Sequence, residues 1–320
     1  MILPKPRPAD DPRNGPVHLR KTLLAQGHDD RSIARLVANG VLVRVRRGAY
    51  ADRASVAGLD ADGRHGLRAR AVVQQARTRV VLSHVSGLPE YDAPTWGLDL
   101  STVHVTRTDA KAGRREAGVQ QHKGAVLPGD VVELNGLEVM SPTRLALEAT
   151  TLGTSESGLV VVNDLLHRCL TTKAELLARY ALMERWPYTL RTTLVLQWAD
   201  RRIETVGESR TWHLIRRSAL PVPEPQYVVR DAWGREVARV DFAWPEFGVF
   251  LEFDGKVKYE KLLLPGQSAS QVVVAEKRRE ELVCRLTGWR CVRVVWDDLA
   301  RPAATQQLIR DALFRPSLAA

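Results

Sequence analysis

The sequence predicts a chain of mixed α+β and α/β class divided into several domains, and three observations carry that reading. A helix–helix–strand pattern closed by a basic turn fills residues 17–50, and a looser alternation of helices with short strands fills residues 63–170. Beyond residue 204, two strands rich in Val, Phe and Leu meet at Pro245-Glu246, a turn-forming pair. At 320 residues, with 44% apolar side chains, the chain can bury an ample core, and the length suits two or three domains. The expected divisions are a flexible arm at 1–16, a small helical unit at 17–55, an α+β middle domain at 56–171, a helical connector at 172–203 and a C-terminal domain at 204–320.

The first sixteen residues, dense in Pro, Asp and Arg, read as a mobile arm. Leu19, Leu23 and Leu24 then have helical spacing as far as Gly27, and Asp29 or Asp30 is placed to cap a second helix. That helix turns Ile33, Leu36 and Val37 inward and Arg31 and Arg35 outward. Gly40 ends it, Val41 to Val45 alternates as a strand, and Arg46-Arg47-Gly48 turns the chain back to Ala49-Tyr50. The order reads as a winged helix-turn-helix, with Arg31 and Arg35 near a DNA groove and Arg44, Arg46 and Arg47 near phosphates. The competing reading of the same arginines is a solvated surface on a small docking bundle.

In the middle domain, helices are expected at Arg64–Arg77, Thr143–Thr150 and Ser157–Leu170, and strands at Val80–Leu82, Thr102–Thr106, Gly118–His122 and Val131–Glu133. The stretch from Thr172 to Asp200 is expected to lead into the C-terminal domain as helix, interrupted at Trp186-Pro187. His84 reads as a structural histidine, because neither a Gly-x-Ser-x-Gly turn nor a paired acid accompanies it. His104 and His122 stand alone in strand patterns as surface residues or phosphate contacts, and no His/Cys spacing suggests zinc. Cys169, Cys284 and Cys291 lie in apolar contexts and read as reduced core residues.

The densest chemistry lies between Val237 and Tyr259. A hairpin there brings Asp241, Glu252, Asp254 and Lys256 to one end of a strand pair, with Glu252 and Asp254 two apart on one face. Clustered carboxylates repel one another, and an oxygen-only set suits a hard ion, Mg²⁺ or Mn²⁺, while a nearby ammonium balances developing charge. Asp241, Glu252 and Asp254 are the expected metal ligands, with Lys256 or Lys277 as the charge stabiliser and Glu208, early in a preceding helix, as a further catalytic candidate. Lys258, Arg278 and Arg279 are candidates to hold phosphates. The alternative is that these acids simply pair with Lys256, Lys258 or Arg279.

Asp241, ten intervening residues and Glu252-Phe253-Asp254-Gly255-Lys256 resemble the PD-(D/E)XK nuclease superfamily, and more closely its very-short-patch-repair-like bacterial proteins. The resemblance covers roughly the last third of the chain through Val206 to Arg210, Asp241, Glu252 to Gly255, Glu276 to Glu280 and Gly288 to Val294. It implies a restriction-endonuclease-like mixed sheet flanked by helices, and Mg²⁺-dependent phosphodiester hydrolysis. One position departs from the motif: Asp254 stands where the superfamily places Lys, which moves that role to Lys256 or Lys277.

The run from Gly27 to Tyr50 is similar to the N-terminal domain of AbiEi-type antitoxins of type IV toxin-antitoxin systems, with further landmarks at Leu82 to Leu88 and Ser141 to Arg144. That resemblance covers about half of the chain and implies a winged-helix regulator with a cognate toxin as partner.

With 47 Lys and Arg against 37 Asp and Glu, the net charge is +10, which favours a polyanionic partner, DNA above all. No apolar stretch suits a signal peptide or a membrane span, so the expected location is cytoplasmic, with no membrane partner.

Overall fold

A computed structural model describes residues 5–109, 111, 113–183, 186–255 and 269–314. The chain divides into two units, Met1–Ala199 and Asp200–Ala320.

The first unit begins with a docked segment. Arg7 donates through its backbone N–H to Asn135 at 2.9 Å and through its guanidinium to Glu90 at 3.1 Å, and its side chain is 4% exposed. Arg13 pairs with Asp11 at 2.7 Å and with Asp92. The described part of the segment expected as an arm thus makes contacts with residues 90, 92 and 135: proline discourages regular structure but does not stop an arginine from burying against acids across the chain.

The next elements are β1 (Val17–Leu19), α1 (Arg20–Ala25), α2 (Asp30–Ala38), β2 (Leu42–Arg46) and β3 (Ala49–Asp52). Leu19, expected in the first helix, instead ends a strand, because Val17–Leu19 pairs antiparallel with Ala49–Ala51 and completes a sheet ordered β1-β3-β2. Asp29 caps α2 through a reciprocal pair with Ser32, and Gly27, Gly40 and Gly48 take positive φ at the turns. Leu23, Ile33 and Leu42 form the core of this part, with Leu36, Val37 and Tyr50 packed around them.

The chain continues through α3 (Arg53–Ala57), α4 (Ala61–Gln75), β4 (Val80–Leu82) and a 3-10 helix at His84–Tyr91. Next come β5 (Val103–Arg107), β6 (Arg115–Glu116), β7 (Val119–Lys123), β8 (Val131–Leu134) and β9 (Leu137–Met140). The strands form a six-stranded mixed sheet ordered β6-β7-β5-β4-β9-β8. Strand β9 was not expected. Its partner β8 reaches it through Asn135-Gly136, both at positive φ, a two-residue hairpin signal in the sequence.

Helices α5 (Pro142–Leu152), α6 (Ser155–His167), α7 (Lys173–Ala181) and α8 (Leu190–Trp198) close the first unit. The expected connector is corrected here, because α7 and α8 pack on α5, and α8 on α6, so they belong to the first unit. The interruption between them falls at Trp186-Pro187, as the proline requires. Cys169 is exposed at a positive φ rather than in the core, whereas Cys284 and Cys291 are half-buried.

The second unit holds α9 (Val206–Arg216), β10 (Glu224–Arg230), β11 (Glu236–Trp244), β12 (Val249–Asp254), α10 (Ala269–Thr287), β13 (Arg290–Val295), α11 (Trp296–Leu299) and α12 (Pro302–Phe314). Its four-stranded sheet runs β10-β11-β12-β13, antiparallel except for the parallel pair β12–β13. Long apolar runs in β11 and β12 reflect burial on both sides, and Phe242, Phe250 and Leu251 are fully buried. Among the described residues, no helix is long and apolar enough to cross a membrane.

Helix α9 lies on the sheet at Gly207, where an added Cβ would come within 1.9 Å of the Phe253 ring. Gly207→Ala is expected to destabilise the fold by about 1–3 kcal/mol through overpacking. Urea denaturation followed by tryptophan fluorescence checks this, and an unchanged midpoint would contradict so close an approach.

Candidate functional site

The acidic positions sit on the middle strands of the second sheet. Phe242 pairs with Leu251, so Asp241 and Glu252 are next neighbours on the opposite face, and Asp241 Oδ2 accepts the Phe253 N–H at 2.8 Å. Glu252 and Asp254 share that face, each with a side chain 15% exposed. Arginines from flanking elements meet both: Arg279 of α10 donates to Glu252 at 3.1 Å, and Arg293 of β13 donates to Asp254 at 3.2 Å and also pairs with Glu280.

Glu208 is buried and occupied by its own helix start. Its carboxylate accepts from Thr205 Oγ1 at 2.8 Å, from the Glu204 N–H at 3.0 Å and from Gln226 Nε2 at 2.9 Å. These bonds match the helix-terminal role of an N-terminal acid. Lys277 and Arg278 are exposed on α10, while Lys256 and Lys258 lie outside the described residues.

In the first unit, Arg31 and Arg35 are exposed on one side of α2, and Arg44 and Arg47 are exposed on β2 and its turn. Arg46 differs. It lines a cavity of about 500 Å³ together with Arg77, Arg107 and Arg114, and burial lowers its pKa.

The group that sequence spacing did not reveal is a set of three histidines. Thr106 of β5 pairs with His122 of β7 in parallel register, so His104 and His122 are diagonal neighbours on one face of the sheet. His84 follows β4 at the start of the 3-10 helix. The ligand nitrogens of His84, His104 and His122 all lie within 4.8 Å of one another, the one such set of three His, Cys, Asp or Glu side chains among the described residues. His104 Nδ1 and His122 Nε2 share a hydrogen bond of 2.9 Å, and the rings of His84 and His122 stack at 3.7 Å.

His84 holds a left-handed backbone, φ 54°, which costs a non-glycine residue about 1–2 kcal/mol. Its N–H donates to Glu148 at 2.8 Å, and its Nδ1 lies 3.1 Å from Ser83 Oγ and 3.5 Å from Glu148. Burial, then the neighbouring histidines, hold His84 well below the usual range; burial first holds His104 and His122 down to about 4. A cavity of about 740 Å³ opens beside His84 and His122, lined also by Lys123, Arg144, Trp186, Tyr188 and Arg191. Residue spacing could not unite the three, because β5 and β7 are separated by a loop whose length carries no register information. The one trace in the sequence is a pair of histidines on strands that alternate in step.

No family model matches the chain. Among curated proteins it is similar to the uncharacterized proteins MT2308 and Rv2248 of Mycobacterium tuberculosis, from strains CDC 1551 / Oshkosh and ATCC 25618 / H37Rv. Each is 31% identical over 107 residues, which is 33% of this chain and 36% of the relative. The chain thus spans about a third of the length of these curated relatives.

The buried histidines make a pH prediction. His65, like His104 and His122, is held to about 4 against an ordinary 6.5, by burial above all. Between those values the unfolded chain binds protons that the folded chain does not, so stability is complete above pH 6.5 and falls as pH drops towards 4. Urea midpoints should decrease from about pH 7 to about pH 4.5, and His104→Gln and His122→Gln should each flatten that decrease. A midpoint independent of pH over this range would contradict the neutral, desolvated state.

Proposed function

We propose that this chain is a DNA-binding protein in which a winged helix-turn-helix near the N-terminus engages the duplex and a restriction-endonuclease-like domain near the C-terminus acts on, or holds, the nucleic acid. The observation that supports it best is the set of exposed arginines on α2, on β2 and on the β2–β3 turn, Arg31, Arg35, Arg44 and Arg47, carried by two helices and a small antiparallel sheet. In this reading Arg31 and Arg35 approach base edges, and Arg44 and Arg47 neutralise phosphates.

For the C-terminal domain, we read Asp241 and Glu252 as ligands for Mg²⁺ or Mn²⁺, Asp254 as an assisting acid, and Lys277 or Lys256 as the stabiliser of developing charge. The adjacency of Asp241 and Glu252 across β11 and β12 supports this. A second reading has its own observation. The ion pairs of Glu252 with Arg279 and of Asp254 with Arg293 neutralise two of the three acids without a metal, as in an antitoxin-type regulator whose nuclease-like domain is catalytically silent.

Two measurements test the proposal. Changing Arg44 and Arg47 together to Ala should weaken DNA binding across sequences and reduce the slope of log affinity against log salt by about 0.9 for each phosphate that is no longer neutralised. Unchanged affinity and slope would remove the N-terminal interface. Wild-type protein should cleave duplex DNA, single-stranded DNA or RNA with Mg²⁺ or Mn²⁺, Asp241→Ala should not, and Lys277→Ala or Lys256→Ala should slow single-turnover cleavage by about 10²-fold. Absence of cleavage by the wild type on every substrate, or equal cleavage by Asp241→Ala, would leave the silent-domain reading.

A further inference from the structure

We propose that His84, His104 and His122 form a binding site for a late first-row divalent transition-metal ion of the zinc class, separate from the acidic positions of the second unit. Three imidazoles suit Zn²⁺ and its neighbours rather than Mg²⁺ or Mn²⁺, which prefer oxygen. The residues are brought together by three different strands or strand ends, and their ligand nitrogens already lie within 4.8 Å of one another.

The distances define how the ion would enter. His104 Nδ1 and His122 Nε2 are 2.9 Å apart, a few tenths less than the roughly 3.3 Å between two nitrogens on a tetrahedral ion at ordinary Zn–N lengths. The proton those nitrogens share moves to the far nitrogen of its ring, and the ion sits to one side of the line joining them, so both rings must turn to aim their lone pairs at it. His84 is the third ligand through Nε2, because its Nδ1 faces Ser83 and the buried Glu148. A histidine backed by a carboxylate in this way is oriented and made more basic as a ligand. Since the His84 and His122 rings are stacked, one of them must tilt to aim its lone pair at the common point. The cavity of about 740 Å³ beside them gives room for that tilt and for a fourth, exchangeable ligand. Arg144 Nη2, which has no hydrogen-bond partner among the described residues, lines the same cavity with Lys123 and Arg191, so an anionic oxygen ligand suits the fourth position.

The test uses the full chain stripped with a chelator, then dialysed against Zn²⁺ or Co²⁺. The wild type should retain one ion per chain, raise its unfolding temperature on adding Zn²⁺, and show the visible absorption of nitrogen-bound, four-coordinate Co²⁺. His104→Gln and His122→Gln should each weaken Zn²⁺ binding by at least the roughly 10–100-fold typical of losing a supporting group around a metal. His28→Ala should bind as the wild type does. Stripped variants are compared by circular dichroism with the stripped wild type. If either substitution prevents folding, imidazole proton resonances of the wild type decide, and Zn²⁺ should shift those of His84, His104 and His122. Equal retention by the His104 and His122 variants, loss of the ion in His28→Ala, Zn²⁺ shifts confined to other histidines, or no retained ion in the wild type would each overturn the site.

Discussion

The first unit is organised around one buried guanidinium. Arg144, fully enclosed on α5, donates to Glu148 one turn later at 2.7 Å and to Asp130 at 3.0 Å, and stacks over Trp186 at 4.3 Å. Asp130 also receives Arg179 of α7 at 2.8 Å, and Glu148 receives the backbone N–H of His84. A single charge therefore ties α5, α7, the approach to β8 and the strained turn after β4 into one network. Removing one member of such a set strands the others without compensation, at about 3–5 kcal/mol, although a well-packed apolar replacement of the whole network could be neutral. Glu148, which accepts the His84 N–H, is held by these ionic bonds, and the turn that carries His84 is tied to the network through it.

Much of the local structure was legible because its cause is local. The Asp29 cap, the strand at Val80–Leu82 and the two strands around Pro245 follow from residue type and alternation over a few positions. Leu19 shows where that logic fails. Its spacing from Leu23 is helical, yet pairing with Ala49, thirty positions later, places it in a strand, since a ladder partner outweighs a weak helical preference. Arg7 shows the same limit: composition suggested a mobile arm, and the acids at 90 and 92 that pair with Arg7 lie too far along the chain for composition to show.

Site residues divide along the same line. Asp241 and Glu252 could be placed side by side because a short hairpin fixes register. Glu208 was legible only as an ambiguity, and its bonds with Thr205, Glu204 and Gln226 account for its burial. His104 and His122 were visible as residues but not as neighbours, because parallel strands joined by a long excursion give no register from spacing. His84 reached them only through the order of β4, β5 and β7 in the sheet, which is a property of the whole unit.

Packing of α7 and α8 onto the first unit has a consequence for how its last helix ends. Lys173, the first residue of α7, donates to the carbonyl of Ala199, the residue after α8, at 3.1 Å, and also to the carbonyl of Leu196. A cation so placed satisfies carbonyls that α8 leaves without helical partners and is favoured by the helix dipole. Fraying of α8 therefore strands the ammonium of another helix, which makes the end of α8 and the start of α7 one cooperative joint.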